Sequence, residues 1–91
     1  MENVHVSTAV RAIEGFLIVE GQRFRGVVCA TLMEKSFGAR ASPDGWLAAY
    51  RAHARAIDAA LAAKAKVANG VRVAVLTESD LGLFKRPAKA A

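Results

Sequence analysis

The sequence predicts a small α+β domain, an antiparallel sheet in β-β-β-α-α-β order covered on one side by a long helix from the second half of the chain. Three observations predict it. Two β-rich runs, Phe16-Leu17-Ile18-Val19 and Phe24 to Ala30, flank a glycine at Gly21. Apolar residues from Leu47 to Ala68 recur at three- and four-residue steps. Val71 to Thr77 alternates as a strand does.

Val4-His5-Val6 alternates and predicts a short first strand that Ser7 and Thr8 end or bend. Ala9 to Glu14 reads as a loop or one irregular turn. A two-residue hairpin loop with Gly21 at its first central position has the type II′ signature. That register sets Val19 opposite Phe24 and Leu17 opposite Gly26. Leu17, Val19, Phe24 and Val28 then share one side. Phe16, Ile18, Val27 and Cys29 share the other, with Glu20 opposite Arg23 and Arg25 nearby.

Thr31-Leu32-Met33-Glu34 fits a capping box, and Gly38 suits a helix C′ position, so a short helix is expected over about Leu32 to Phe37. Arg40 and its alanine neighbours form a connector. Ser42-Pro43-Asp44 supplies an N-cap oxygen, a first-turn proline and an acid at the positive dipole end. The helix it starts should run to Ala68 and stop at Asn69-Gly70. Leu47, Tyr50, Ala54, Ile57, Leu61, Ala65 and Ala68 make its apolar side, with Arg51, Arg55, Asp58, Ala62 and Lys66 turned away. In the last strand Val71, Val73 and Val75 point one way and Arg72, Ala74 and Leu76 the other. Residues 1–84 make one domain, and 85–91 read as a disordered basic tail without apolar periodicity.

The chain has 91 residues, of which 54% are hydrophobic and 23% charged, a balance that excludes an intrinsically disordered protein. Its net charge is +5, but Lys85, Arg86 and Lys89 supply three of those charges, leaving the body near +2, an ordinary value. One cysteine excludes an internal disulfide and favours a reducing compartment. Cys29, inside Val27-Val28-Cys29-Ala30, reads as a small buried hydrophobe. No run of ~18 uncharged apolar residues predicts a transmembrane helix. Met1-Glu2-Asn3-Val4-His5 lacks the basic start and apolar core of a signal peptide, so a cytoplasmic location is expected.

Phe16 to Val19, Gly21, Val27 to Ala30, Leu32, Phe37-Gly38 and the closing Leu76-Thr77-Glu78-Ser79-Asp80-Leu81 together resemble a bacterial family, domain of unknown function 1488. The likeness covers most of residues 4 to 81. It implies an antiparallel sheet with helices and no assigned activity, so no catalytic residue is carried over. Val6-Ser7-Thr8 stands where that family often has an aromatic-Pro pair.

No catalytic, metal or cofactor constellation is expected. His53 has Ala49 and Ile57, not ligands, one helical turn away on either side. Asp58, Glu78 and Asp80 are not brought together by spacing; Asp58 reads as a partner of Arg55 and Asp80 as a turn former. Gly15, Gly21 and Gly26 lack the strand-to-helix turn of a phosphate cradle. Arg51, Arg55 and Lys66, with Arg72, form a candidate basic surface for nucleic acid, but Trp46 and Tyr50 belong to the core rather than to a stacking platform. Phe16, Ile18, Val27 and Cys29 are the candidate self-association surface. Either the Ala9–Glu14 segment or the short helix covers them within one chain, or a second copy does. Several hundred Å² of such surface, at ~25 cal/mol per Å², is worth several kcal/mol before association costs, comparable with the stability of a domain this small. A non-enzymatic homodimeric interaction module is therefore the preferred expectation, and a nucleic-acid accessory protein the alternative.

Overall fold

A computed structural model describes residues 1–67, 72–78 and 80. The chain builds β1 (Glu2–Ser7), β2 (Ala12–Val19) and β3 (Gln22–Cys29), then α1 (Ala30–Phe37), α2 (Pro43–Ala52) and α3 (Ala54–Lys66), and returns to the sheet as β4 (Val73–Leu76). The strands lie in the order β1-β2-β3-β4. The fold is α+β, as the residue pattern implies. Three strands form an antiparallel meander, and β4 runs parallel to β3. A parallel partner requires a long crossover. All three helices are that crossover.

Strand β2 is twice the expected length. Ala12, Ile13 and Glu14, read from sequence as irregular, pair with Cys29, Val28 and Val27 of β3 and also bridge to β1. The β2–β3 loop is Glu20-Gly21, not Gly21-Gln22. Both residues have positive φ, 51° and 79°, the type I′ pattern whose twist matches that of the flanking strands. Leu17 therefore faces Phe24, and Gly15 faces Gly26. Because this register differs from the expected one by two residues, no side chain changes sides. Ile13, Leu17, Val19, Phe24 and Val28 are buried together with Ala74 and Leu76 of β4.

Helices α1, α2 and α3 cover that one side. Ser42 caps α2 as expected, its hydroxyl accepting from the Gly45 N–H at 3.1 Å. Gly38 ends α1 at φ 66°, also as expected. The Thr31–Glu34 capping box does not form: Cys29 is the N-cap and gives no side-chain bond. Glu34 instead accepts from the Trp46 indole N–H at 2.7 Å and lies 3.6 Å from Arg11, fastening α1 to α2 and to the β1–β2 turn.

The single long helix is two, broken at His53 (φ −121°, ψ 22°), whose ring packs on Phe37 at 4.9 Å. The bend lets both segments follow one sheet: α2 packs on β1 and β2, and α3 on β2 and β4. Tyr50, Ile57, Leu61 and Ala65 are buried as the periodicity implies. Trp46, Ala49 and Ala60 widen the buried stripe. Asp58 does not pair with Arg55; it accepts from the Tyr50 hydroxyl at 2.9 Å and from the Met1 amine at 2.6 Å. Burial, then the bond and charge of Asp58, push the Tyr50 hydroxyl above its ordinary pKa.

Among the described residues no helix is long and apolar enough to cross a membrane. The helix end at Ala68 to Gly70, the Leu81–Phe84 segment and the basic tail 85–91 lie outside the described residues.

Candidate functional site

The side of the sheet turned away from α1, α2 and α3 is built from the alternate residues of the same strands. Side chains on paired residues of adjacent strands point the same way, so cross-strand rows can be read from the register. One row runs His5, Glu14, Val27, Val75; the next runs Phe16, Arg25, Val73. Ile18 pairs with Arg23 at the hairpin end, and Ala12 with Cys29 at the other. The structure therefore places Phe16, Ile18, Val27 and Cys29 on one side, and adds Val73 and Val75 to them. Neither the Ala9–Glu14 segment nor α1 covers this side: the first is partly strand and the second packs with the helices.

Ile18 is 58% exposed, Val73 41% and Val75 44%. Phe16 and Val27 are half-buried. The Arg23 guanidinium lies 4.1 Å from the centre of the Phe16 ring, a cation–π contact in which the arginine shields the aromatic. Cys29 is exposed, not buried as its apolar neighbours suggest, because its parity turns it to this open side.

Polar groups cross the middle of this surface. Glu14 is only 6% exposed; its Oε1 accepts from the Arg25 guanidinium at 2.7 Å and lies 3.5 Å from His5 Nε2. The ion pair divides the apolar surface into an Ile18–Phe16 part and a Val27–Val73–Val75 part. Sequence reasoning missed Glu14 because Gly15 interrupts the apolar alternation just where β2 needs it. The signal was present: Ala12, Glu14, Phe16 and Ile18 alternate with Ile13, Gly15, Leu17 and Val19 over eight residues. Gly15 and Gly26 face each other on the covered side because the space there is taken. A Cβ on Gly15 would lie 2.9 Å from the Glu2 carbonyl oxygen, and one on Gly26 2.6 Å from Met1 Sδ.

Two shallow grooves border the open side. One of about 300 Å³ lies between Cys29, Thr31, Leu32 and Lys35 of the α1 region and Val75 to Glu78. Another of about 400 Å³ runs between Met1-Glu2, Phe16 to Ile18, Asp58 and Ala62. Neither gathers an acid–base pair. Asp58 is bound to Tyr50, while Asp80 accepts from Lys64 at 2.9 Å and from the Thr77 N–H and hydroxyl, both at 2.8 Å. Burial acts to raise the Asp80 pKa, but the Lys64 and Thr77 bonds outweigh it and hold the carboxyl below its ordinary value. Among the described residues no group of three or more His, Cys, Asp and Glu could hold a metal ion.

Arg51, Arg55 and Lys66 are all exposed, as is Arg72. Arg55 and Lys66 are eleven residues apart on α3, ~16 Å along its axis. Trp46 and Tyr50 beside them are buried, so this basic surface has no aromatic platform among the described residues. Compared with known proteins, the chain matches no family model, no curated protein and no solved structure. Nothing in those comparisons points to an enzyme family.

Proposed function

We propose that the protein is a non-enzymatic interaction module that self-associates through the open side of its sheet, turning Ile18, Phe16, Val27, Cys29, Val73 and Val75 to a second copy. The supporting observation is the exposure of three β-branched aliphatic side chains, Ile18, Val73 and Val75, on the side of the sheet turned away from α1, α2 and α3. The central charge within it is already paired in the chain, Arg25 by Glu14, while Arg23 stacks on Phe16 at the hairpin end. Covering the Arg25–Glu14 pair strands no lone ion, the case that makes buried charge costly.

The size of the surface sets the strength. Strands of six, eight, eight and four residues present roughly 400 Å² per side, from ~3.3 Å per residue and ~4.8 Å between strands. A standard stable interface uses about 800 Å² per partner. The association is therefore weak and concentration-dependent, in the range where a local rise in concentration switches it on. The proposed kinship with domain of unknown function 1488 transfers no activity to it.

Sedimentation velocity across a dilution series tests this. Association should grow through the micromolar range and be lost in Ile18→Glu, a position exposed enough to take the charge without unfolding the domain. A wild-type chain that stays monomeric at millimolar concentration, or an Ile18→Glu variant that associates equally well, overturns it. Nucleic-acid binding through Arg51, Arg55 and Lys66 is the second proposal, and a salt titration with single-stranded DNA decides it.

A further inference from the structure

The sheet has two edges of different character. At β1, Asn3 takes φ 54° and the pairing with β2 shifts between Glu2 and His5. A bulge and charged side chains are devices that keep an edge from pairing with another chain. The β4 edge has neither: it is Val73-Ala74-Val75-Leu76, uncharged and without proline. Among the described residues β4 pairs only with β3. The Arg25 N–H donates to the Arg72 carbonyl at 2.8 Å. Alternation along the ladder then directs the N–H and C=O of Val73 and Val75 away from β3, toward the free edge.

We infer that β4 is a second self-association site, pairing antiparallel with β4 of another copy about a two-fold axis at Ala74; this rests on the self-association proposed above. In that register Val73 faces Val75 of the second copy, and the two pairs exchange four backbone hydrogen bonds. Charge favours the antiparallel sense. Exposed Arg72 stands at one end of β4 and exposed Glu78 beyond the other. Antiparallel pairing brings each Arg72 toward the opposite copy's Glu78 end, whereas parallel pairing would set like beside like. The neighbouring helix leaves room. Asp58 and Ala62 border the groove toward Met1 and Phe16 to Ile18, so exposed Ala56 and Ala63 lie on the opposite flank of α3, toward β4. The edge contact extends two sheets into one, and the open-side contact stacks sheets. Two such two-fold contacts on one chain close at four copies when their axes are perpendicular and intersect.

The test uses the full chain and three variants, Val75→Pro, Val75→Ala and Ile18→Glu, in sedimentation velocity and native mass spectrometry, with amide hydrogen exchange alongside. Val75→Pro removes an N–H that points away from β3, so the β3–β4 ladder is kept. Relative to Val75→Ala, which trims the same open-side side chain but keeps the N–H, it should raise the dissociation constant of the edge dimer about thirtyfold, two backbone hydrogen bonds being lost per dimer, and weaken the dimer made by the open side no more than Val75→Ala does. Ile18→Glu should do the reverse and stop assembly at the edge dimer. In the wild type, the Val73 and Val75 amides should gain protection as concentration rises. Val75→Pro assembling like Val75→Ala overturns the edge site alone; Ile18→Glu assembling like wild type overturns the open-side site alone. If Val75→Pro proves unfolded by circular dichroism, the exchange measurement decides. Protection of those two amides that does not change with concentration, whether high because the chain itself fills the edge or low throughout, overturns the inference.

Discussion

The two sides of this sheet are made by alternate residues of the same strands, yet they are held by different physics. On the covered side Ile13, Leu17, Phe24, Val28, Ala74 and Leu76 meet Ile57, Leu61 and Trp46 in one apolar core. Position there is set by volume, and the sheet gives up side chains at Gly15 and Gly26 to make space. On the open side, long polar side chains do the covering: Arg23 over Phe16, and Arg25 and His5 around Glu14. A sheet whose described helices all pack on one side can shield part of the other with arginine stems and leave the remainder to a neighbour. That remainder is Ile18, Val73 and Val75.

The contrast can be broken most severely from the covered side. Leu61→Ala empties a fully buried position and should cost about 3 kcal/mol in urea unfolding, whereas Ile18→Ala on the open side should stay within ~0.5 kcal/mol at low protein concentration. Equal losses for the two would erase the distinction. Gly15→Ala comes next: its methyl meets the Glu2 backbone oxygen, which cannot step aside as a flexible side chain can, so ~1–3 kcal/mol is expected. Glu14→Gln keeps the shape but removes the charge beneath Arg25. About 1 kcal/mol should be lost, limited because Arg25 is half in water. No loss in Glu14→Gln would show that Glu14 acts by packing instead.

The smallest effect sharpens a polar corner. Asp80→Asn loses part of the Thr77–Lys64 cluster, ~0.5–1 kcal/mol at pH 7. The folded-state pKa of Asp80 lies below its unfolded value, so its contribution is complete above the unfolded value near ~3.9 and is lost as pH falls through the lower, folded one. The stability gap between wild type and variant should therefore close in acid. A gap that widens as pH drops reverses the assigned sign.

Much of this architecture was legible in the residues. Side-chain parity in β2 and β3 fixed the covered set despite a wrong turn, because a two-residue change of register preserves sides. Caps at Ser42 and Gly38 were readable since each has a local cause. What escaped was non-local. Glu34 looked like a capping residue until Trp46, twelve residues on, claimed its carboxylate. The helix break at His53 follows from wrapping a twisted sheet, and no proline or glycine announces it. Parallel pairing of β4 depends on where a long crossover ends. Of the open side, four residues were visible from alternation alone; Glu14, Val73 and Val75 joined them only when the strands were set side by side.

That parallel pairing has a consequence for how the molecule reaches its shape. Arg25 and Val73 lie forty-eight positions apart yet are neighbours in the sheet. The three-strand meander closes over short turns, while β4 can dock only after the intervening helices have brought it round, a far slower closure. Until then β3 is itself a raw border, and the nascent protein is most prone to clump in that interval. Pulse-labelling during refolding should find the Arg25 amide shielded later than amides of the β2–β3 ladder; simultaneous shielding would mean that the whole sheet zips in one step.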